Sequence, residues 1–358
     1  MNDPVIAAEA SRTGAAVAKA WETALQVPAT AGCGLVEAFA AHPERDSRVQ
    51  LGLLLLEIGA STGVNLPLTV VFQSPTAADL AEMAGSGDSP RYERPIRMRS
   101  GAGQPLLVFP GIGGIGLEVL SLVRHLRFAG PLYFNPPQGV DGAEPHHTLD
   151  DVVADHLDRI RSVQPHGPYW LLGYSWGGLV ALEIARSLRA SGETIAFVGL
   201  IDPVLSQVDW TFGAWLQYIG ARFGLHWRGL RQSGSPLAAV RYAGKRVVPL
   251  VDKVARLFGV TRLWPLAEAG DALPGPLTAI WSAESAIIKQ YRLRKYDGPV
   301  TVFATRRGHA GEVDPRKVWP SKVARLDLHW VPGDHDLKEP GVAETAAAIS
   351  DVLARVNA

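Results

Sequence analysis

The sequence contains a single cysteine, Cys33, among 358 residues. An internal disulfide framework is therefore excluded, and the low cysteine content is typical of a protein in a reducing compartment. The longest apolar run, from Leu51 to Ala60, is short and includes Glu57. It cannot form a membrane-spanning helix, which needs about 20 apolar residues. The N-terminal residues lack a basic start followed by an apolar run, so we expect no secretory signal and a cytoplasmic location.

The sequence also lacks an excess of charge of either sign, since 35 basic residues balance 35 acidic ones. Overall charge therefore gives no reason to expect a nucleic-acid partner. The apolar fraction of 47% is ordinary for a globular protein, which excludes wholesale disorder. A chain of this length predicts about two domains.

The local patterns change near residue 85 and predict the domain organisation. Helical patterns fill residues 1–85, and residues 86–104 are rich in Gly, Pro, Ser and Arg, which is typical of a linker. From 105 to 358, short apolar runs alternate with helical patterns, which predicts an α/β fold with a parallel sheet covered on both faces. The alternation stops between about 206 and 292, and this insertion is predicted to be a helical lid.

A G-x-S-x-G motif, Gly173 to Gly177, lies between a predicted strand and a predicted helix. In this context the chain must turn so tightly that Ser175 adopts a strained backbone and presents its hydroxyl at the C-terminal edge of the sheet. The N-terminus of the following helix favours negative charge at the same place. The sequence therefore predicts Ser175 as a nucleophile rather than as an incidental serine in a glycine-rich turn.

A serine nucleophile needs a base, and three histidines follow the predicted lid: His309, His329 and His335. His335 lies just after the last predicted strand, in a loop that starts at the same sheet edge as Ser175, and it is the predicted base. His329 lies inside the strand pattern and is expected to be structural. His309 lies in a polar loop and is expected to be solvated.

The base in turn needs an acid that orients it, and the sequence offers two positions. Asp202 follows a predicted strand directly, and Pro203 favours an extended backbone at Asp202. The alternative lies after the next strand, at Glu312 or Asp314. Asp202 lies at the more clearly defined strand end of the two, although an Asp before Pro can also be a helix cap or a turn residue.

Acyl transfer also needs N–H donors for the negative oxygen of the intermediate. One predicted donor is the backbone N–H of Trp176, the residue after the nucleophile. The second is the backbone N–H of Ile112, in the glycine-rich loop from Phe109 to Gly114. That loop lacks the Gly-Lys-Ser/Thr ending and the full G-x-G-x-x-G pattern of phosphate-binding loops, so a nucleotide site is the weaker interpretation.

Taken together, these motifs resemble the thioesterase domains of nonribosomal peptide and polyketide synthases. The segments that carry the resemblance are LLVFPGIGG, VQPHGPYWLLGYSWGGLVALEIARSLRASGE, FVGLIDP and VPGDHDLKEP. The resemblance covers residues 105–358 and implies an α/β-hydrolase fold with a helical lid. It implies release of an acyl, peptidyl or polyketide chain from a phosphopantetheine thioester, by hydrolysis or cyclisation. It also implies roles as nucleophile, base, acid and oxyanion donors for Ser175, His335, Asp202, Ile112 and Trp176.

The N-terminal residues 1–85 resemble a carrier-protein domain, on the segments WETAL, GVNLPL and FQSPTAADLA. Carriers hold the acyl group on 4′-phosphopantetheine attached to a serine, and the candidate here is Ser47. The usual Gly-Gly-x-Ser-Leu signature is absent, and an ungapped count back from Gly63 puts Arg48 at the attachment position. Either Ser47 carries the group or the segment is a vestigial docking domain. Because Arg45 and Arg48 flank Ser47, we expect slow or absent modification, with the acyl chain arriving on a carrier of another polypeptide.

The expected partners are therefore an acyl or peptidyl carrier protein, upstream synthase modules and a small acyl chain. No metal, nucleic acid or membrane is expected. The predicted lid holds nine Arg and Lys against four Asp and Glu between 206 and 272, which is either a solvated face or a surface for an acidic carrier. Two other functions stay open: an acyltransferase or esterase acting on a free small molecule, and a non-catalytic docking module.

Overall fold

The fold is described from a computed structural model. The residues it describes are 4–30, 32–42, 45, 47–73, 75–86, 95–204, 275–305, 314–333, 335, 337 and 341–357. Most of the predicted lid, residues 206–274, lies outside the described residues.

A seven-stranded sheet forms the centre of the described C-terminal part, in the order β1-β3-β2-β4-β5-β6-β7. Strand β1 pairs antiparallel with β3, and every other neighbouring pair is parallel. The strands β2 and β4 are buried along their whole length, as expected for the centre of a sheet covered on both faces. The predicted α/β class with a mostly parallel sheet is confirmed. The strands are β1 Ile96–Arg99, β2 Leu106–Phe109, β3 Leu132–Phe134, β4 Tyr169–Tyr174, β5 Ile195–Ile201, β6 Tyr296–Thr305 and β7 Val323–Val331.

The predicted linker over 86–104 is wrong in its second half, because the edge strand β1 lies within it. Ile96 is buried and pairs with Phe134 of β3, while the next residue, Arg97, is exposed. Charged side chains are common on the exposed side of edge strands, where they prevent pairing with another chain. The arginines that suggested a solvated linker therefore belong to the sheet, which begins before residue 105.

Five α-helices follow the sheet strands along the described chain and cover both faces of the sheet. Alternate residues of β2 divide between the faces: Leu107 and Phe109 pack in one hydrophobic cluster with α6 and α7, while Leu106 and Val108 pack in another with α5 and α9. Helix α6 begins after Thr148, which caps it because the Thr148 hydroxyl accepts the N–H of the third helical residue at 3.1 Å. These helices are α5 Leu117–His125, α6 Leu149–Val163, α7 Trp176–Ala190, α8 Gly275–Gln290 and α9 Gly341–Asn357.

Four helices precede the sheet and form what we call the N-terminal helical unit, residues 4–86. Helix α1 packs against α3 and α4, and Trp21 is fully buried between them and the rest of the unit. Within the described residues, no helix combines the length and the apolar character needed to cross a lipid bilayer. The helices are α1 Pro4–Leu25, α2 Leu35–Ala40, α3 Ser47–Thr62 and α4 Ala77–Ser86, with a 3-10 turn at Leu68–Gln73.

The N-terminal helical unit shares a hydrophobic core with one face of the sheet. Phe72, in the 3-10 turn, places its ring centroid 4.6 Å from that of Phe134 in β3, and both rings are buried in the same cluster. At the rim of this contact, Arg124 donates to the carboxylate of Glu37 at 2.6 Å. Interfaces between domains that move are usually more polar, so this contact favours a fixed position for the unit.

The shared core predicts that removal of the Phe72 ring destabilises the sheet as well as the helices. Phe72→Ala should lower the free energy of unfolding by about 3–5 kcal/mol, the usual cost of truncating a buried Phe. Urea unfolding, followed by far-UV circular dichroism and tryptophan fluorescence, measures the change. The control Leu56→Ala removes an apolar side chain that is 64% exposed on α3 and should cost less than about 0.5 kcal/mol. Equal losses in the two variants would contradict a shared core.

Candidate active site

The turn between β4 and α7 places Ser175 at the C-terminal edge of the sheet with a strained backbone. Its φ of 52° and ψ of −116° lie outside the regions that most L-residues adopt. The two flanking glycines are required by close backbone contacts. A Cβ on Gly173 would lie 2.1 Å from the carbonyl oxygen of Gly177, and one on Gly177 would lie 2.3 Å from that of Pro110. The structure therefore has the tight strand–turn–helix geometry that the motif predicts.

His335 reaches this turn from the loop after β7. Its Nε2 lies 3.1 Å from the Ser175 hydroxyl oxygen, so the two side chains are within hydrogen-bond distance. Tyr174 steadies the loop, because its hydroxyl donates to the backbone carbonyl of His335 at 2.5 Å and the two rings lie 5.2 Å apart. Tyr174 therefore contacts both the backbone and the ring of His335, which holds the imidazole beside the serine.

Asp202 lies on the other side of the imidazole, with Oδ2 3.6 Å from Nδ1 of His335. Thr305, the last residue of β6, holds the carboxylate in place. Its backbone N–H donates to Oδ1 at 2.7 Å and its hydroxyl donates to Oδ2 at 2.5 Å. This arrangement fits a proton on Nδ1 of His335, which leaves Nε2 free to accept the proton of Ser175.

The alternative acid, Asp314, is engaged elsewhere. Its carboxylate accepts the backbone N–H of Arg316 at 3.0 Å and pairs with the Arg316 guanidinium at 2.6 Å. These hydrogen bonds hold the pKa of Asp314 below its usual range. Asp314 therefore caps a 3-10 turn, and the other alternative, Glu312, lies outside the described residues.

The alternative base, His329, lies within β7, as the strand pattern predicts. Its ring stacks on Phe303 at 5.4 Å between centroids, and its Nε2 lies 2.9 Å from the carboxylate of Asp327. These contacts give His329 a structural role at the sheet surface. His309 lies outside the described residues.

The two predicted oxyanion donors come from segments that meet at the nucleophile. The loop after β2 passes so close to the turn that a Cβ on Gly111 would lie 2.8 Å from the Tyr174 ring and 3.5 Å from Cβ of Ser175. Ile112 is the next residue of this loop, and Trp176 is the first residue of α7. The structure thus places the backbone segments of both predicted donors next to the serine.

A buried acid that the sequence analysis missed joins these two segments. Glu284 of α8 is only 4% exposed, and its carboxyl group accepts the N–H of Gly113 at 2.7 Å and the indole N–H of Trp176 at 2.9 Å. Burial raises the pKa of Glu284 to about 8, although both N–H donors oppose the shift. The available signal was a lone carboxyl group in the apolar segment TAIWSAESAII.

The predicted attachment residue, Ser47, is the first residue of α3 and is partly exposed. Its neighbour Arg48 lies over the ring of Trp281 in α8, with 5.2 Å from the guanidinium carbon to the ring centroid. The Trp281 ring in turn lies 3.4 Å from where a Cβ on Gly113 would be. The start of α3 therefore lies against the helix that contacts the loop after β2.

A strained serine on a nucleophile turn, a histidine at its hydroxyl and an aspartate behind the histidine define a hydrolase of the α/β type. Residues 104–349 match the family model described as "Thioesterase domain". The match spans more than half of the chain, and the chain belongs to this family. It is a thioesterase with the α/β-hydrolase fold.

Similar proteins include enzymes named as synthetases or synthases. Malpinin synthetase of Mortierella alpina is 37% identical over 155 residues, which are 42% of this chain and 2% of that protein. Indigoidine synthase of Streptomyces lavendulae is 33% identical over 162 residues, 44% of this chain and 12% of that protein. The chain therefore spans only a small share of the length of these relatives.

The crystal structure of holo-AB3403, a four-domain nonribosomal peptide synthetase, shares the fold with a TM-score of 0.55 and 22% identity. The match covers 95% of this chain and 26% of that chain, so it includes the N-terminal helical unit. The likeness in fold is thus not confined to the hydrolase sheet.

The geometry predicts that Asp202, and not Asp314, orients the imidazole. Asp202→Asn should leave the fold intact but favour the wrong tautomer of His335, which should lower kcat by about 10³- to 10⁴-fold. Asp314→Asn is the matched control and should retain nearly full turnover of an acyl thioester. An inactive Asp314→Asn beside a near wild-type Asp202→Asn would move the acid to the later strand.

Proposed function

We propose that this thioesterase releases an acyl, peptidyl or polyketide chain from the phosphopantetheine thioester of a carrier, with Ser175, His335 and Asp202 as its catalytic triad. The observation that carries the proposal is the set of three side chains at the sheet edge, in which Ser175 and Asp202 are buried and His335 between them is partly buried. Nε2 of His335 lies 3.1 Å from the serine hydroxyl, and its Nδ1 lies 3.6 Å from the carboxylate of Asp202. This is the order of contacts that activates a serine for acyl transfer.

In the first half of the reaction, Ser175 Oγ attacks the thioester carbonyl carbon and its proton passes to Nε2 of His335. The tetrahedral intermediate then collapses, the C–S bond breaks, and the departing thiolate takes the proton from His335. The acyl group is left as an ester on Ser175. Asp202 stabilises the imidazolium that exists between these proton transfers.

In the second half, a water molecule or a nucleophile within the acyl chain attacks the ester carbonyl. His335 removes the proton of this nucleophile and returns it to Ser175 Oγ as the ester bond breaks. Water gives a free acid, and an internal nucleophile gives a ring. Exclusion of water from the site decides between the two products.

The negative oxygen of each tetrahedral intermediate is assigned to the backbone N–H groups of Ile112 and Trp176. The proposal is supported by the close contact of Gly111 with the nucleophile turn, which puts the next residue beside Ser175. The position of Trp176 at the start of α7 adds the positive end of the helix dipole. A single donor of this kind typically contributes about 10²- to 10³-fold to kcat.

The carrier is proposed to be on another polypeptide. A phosphopantetheine ester on Ser47 would have its phosphate at the start of α3, where backbone N–H groups favour an anion, and beside Arg48. When bound, the group would supply the thiol of a thioester. However, a carrier has to move between enzymes, and the N-terminal helical unit shares a buried core with the sheet. We therefore assign this unit a fixed docking role, and the single cysteine supports a cytoplasmic site for the reaction.

The triad predicts a large and specific loss in Ser175→Ala. This variant should lower kcat toward an acyl thioester by about 10⁴- to 10⁶-fold with little change in substrate binding, since the triad acts as a unit. A serine-directed fluorophosphonate should label the wild-type protein and not the variant, as read by intact-protein mass spectrometry. Labelling that persists in Ser175→Ala would refute the nucleophile.

The fixed unit predicts that Ser47 is dispensable for release. The test uses the full chain, because deletion of the unit would expose the shared core. After incubation with a phosphopantetheinyl transferase and coenzyme A, the intact mass should show little or no addition. Ser47→Ala should release an acyl chain from a separate carrier at the wild-type rate. Rapid stoichiometric addition at Ser47, with release lost in Ser47→Ala, would make the chain a self-contained carrier and thioesterase.

A further inference from the structure

Glu284 occupies a position that the proposed triad does not explain. It lies on α8, far in sequence from both of its partners, and it is buried under the loop that follows β2. One of its oxygens accepts the backbone N–H of Gly113 and the other accepts the indole N–H of Trp176. Burial of a carboxyl group between two neutral donors is costly, and a methionine or leucine would fill the space at lower cost.

The two partners of Glu284 are tied directly to the two proposed oxyanion donors. Gly113 follows Ile112 in the chain, so a bond to the Gly113 N–H constrains the peptide next to the first donor. Trp176 is itself the second donor through its backbone N–H. A single carboxyl group thus sets the distance between the β2 loop and the start of α7.

Glycine at the loop position gives the backbone the freedom that this bond restricts. Gly113 has a φ of 88° and Gly114 a φ of 71°, which are conformations that L side chains rarely adopt. A loop with two such residues in succession has many alternative conformations. The contact from Glu284, together with the nearby Trp281 ring of the same helix, selects one of them.

We propose that Glu284 is a positioning residue for the oxyanion hole, and that its carboxyl group holds Gly113 and Trp176 so that the N–H groups of Ile112 and Trp176 converge on the reacting carbonyl oxygen. This inference rests on the proposed function, because it assumes that the reaction passes through an oxyanion beside Ser175. Glu284 acts through its neighbours and does not touch the substrate.

The protonation state of Glu284 gives the inference a pH signature. Since its pKa is raised to about 8, the carboxyl group is neutral at pH 7 and adds no negative charge behind the developing oxyanion. Above pH 8 the carboxyl group is mostly ionised, and repulsion between the Glu284 carboxylate and the developing oxyanion should lower kcat. Glu284 also lines a small cavity, and the other titratable side chains that line this cavity are His146, Asp155 and His156.

The test measures kcat and KM of the full-length chain from pH 6 to 9.5, with the octanoyl thioester of N-acetylcysteamine as the substrate. Glu284→Gln keeps the shape of the side chain, but its amide NH2 group must face the N–H of either Gly113 or Trp176, which also donates. We therefore expect kcat at pH 7 to fall about 10-fold and KM to stay within twofold. Glu284→Ala removes both contacts and should lower kcat about 100-fold. The fall in kcat above pH 8 should be present in the wild type and absent in Glu284→Gln.

The controls separate positioning from simple loss of stability. Glu183→Gln alters another buried glutamate, which bonds Tyr291, Arg186 and Arg294 away from the triad, and should lower the thermal unfolding midpoint without changing kcat. His146→Gln and His156→Gln should both keep the alkaline fall in kcat.

Wild-type kcat in Glu284→Ala, or an alkaline fall that persists in Glu284→Gln, would overturn the inference. Ser175→Ala is measured in parallel. Turnover that survives in Ser175→Ala would overturn the proposed function itself, whereas an inactive Ser175→Ala beside fully active Glu284 variants would overturn only the role of Glu284.

Discussion

The contact between the backbone of β4 and the backbone of α7 at the nucleophile turn constrains the rest of the site. The two segments approach so closely at Gly173 that a Cβ there would lie 2.1 Å from the carbonyl oxygen of Gly177, and a Cβ on Gly177 would in turn meet the backbone at the end of β2. Ser175 can connect them only with a positive φ, and its N–H is fixed by a hydrogen bond of 2.8 Å to the carbonyl of Ile201 in β5. The strain at this residue is maintained by packing on both sides, since α7 and β4 are among the most deeply buried elements.

The strand order then determines which loops can reach the serine. Because β4, β5, β6 and β7 are parallel neighbours, their C-terminal ends lie along one edge of the sheet. Asp202 follows β5, and the adjacent strand β6 ends at Thr305, so the carboxylate and its two donors come from paired strands. His335 leaves the next strand and returns toward β4. The three residues of the proposed triad are therefore brought together from the ends of β4, β5 and β7, and Thr305 at the end of β6 holds the carboxylate.

The three residues of the proposed triad, which the structure brings together, could be selected from the sequence because each has a local signal. Ser175 lies in a motif with a recognisable strand and helix around it, Asp202 follows an apolar run directly, and His335 lies in the loop just after the last predicted strand. Thr305 and Glu284 have no such signal, since their importance depends on which distant segment they meet. Glu284 is 171 positions from Gly113, and periodicity within α8 contains no information about that partner.

Contacts between distant segments also explain why the sequence analysis assigned β1 to a linker and did not predict the shared core. A four-residue strand with two arginines is defined by its pairing with β3, which lies more than 30 positions away, and composition alone favours a linker. The packing of Phe72 on Phe134 joins two units that each have a complete helical or α/β pattern of their own. Sequence patterns predict the faces that need to be buried, but they do not identify which apolar face covers which.

The core shared by the N-terminal helical unit and the sheet distinguishes this unit from a mobile carrier, although its sequence resembles one. A carrier that visits several enzymes needs an interface weak enough to open on each cycle, and buried apolar contacts make such opening costly. Here the start of α3 lies on α8 through Arg48 and Trp281, and α8 contacts the loop after β2 through Trp281 and Glu284. The N-terminal helical unit is thereby joined through one helix to the loop that faces the nucleophile. A unit fixed in this way agrees with the proposal that acyl chains are delivered by a separate carrier that can dissociate.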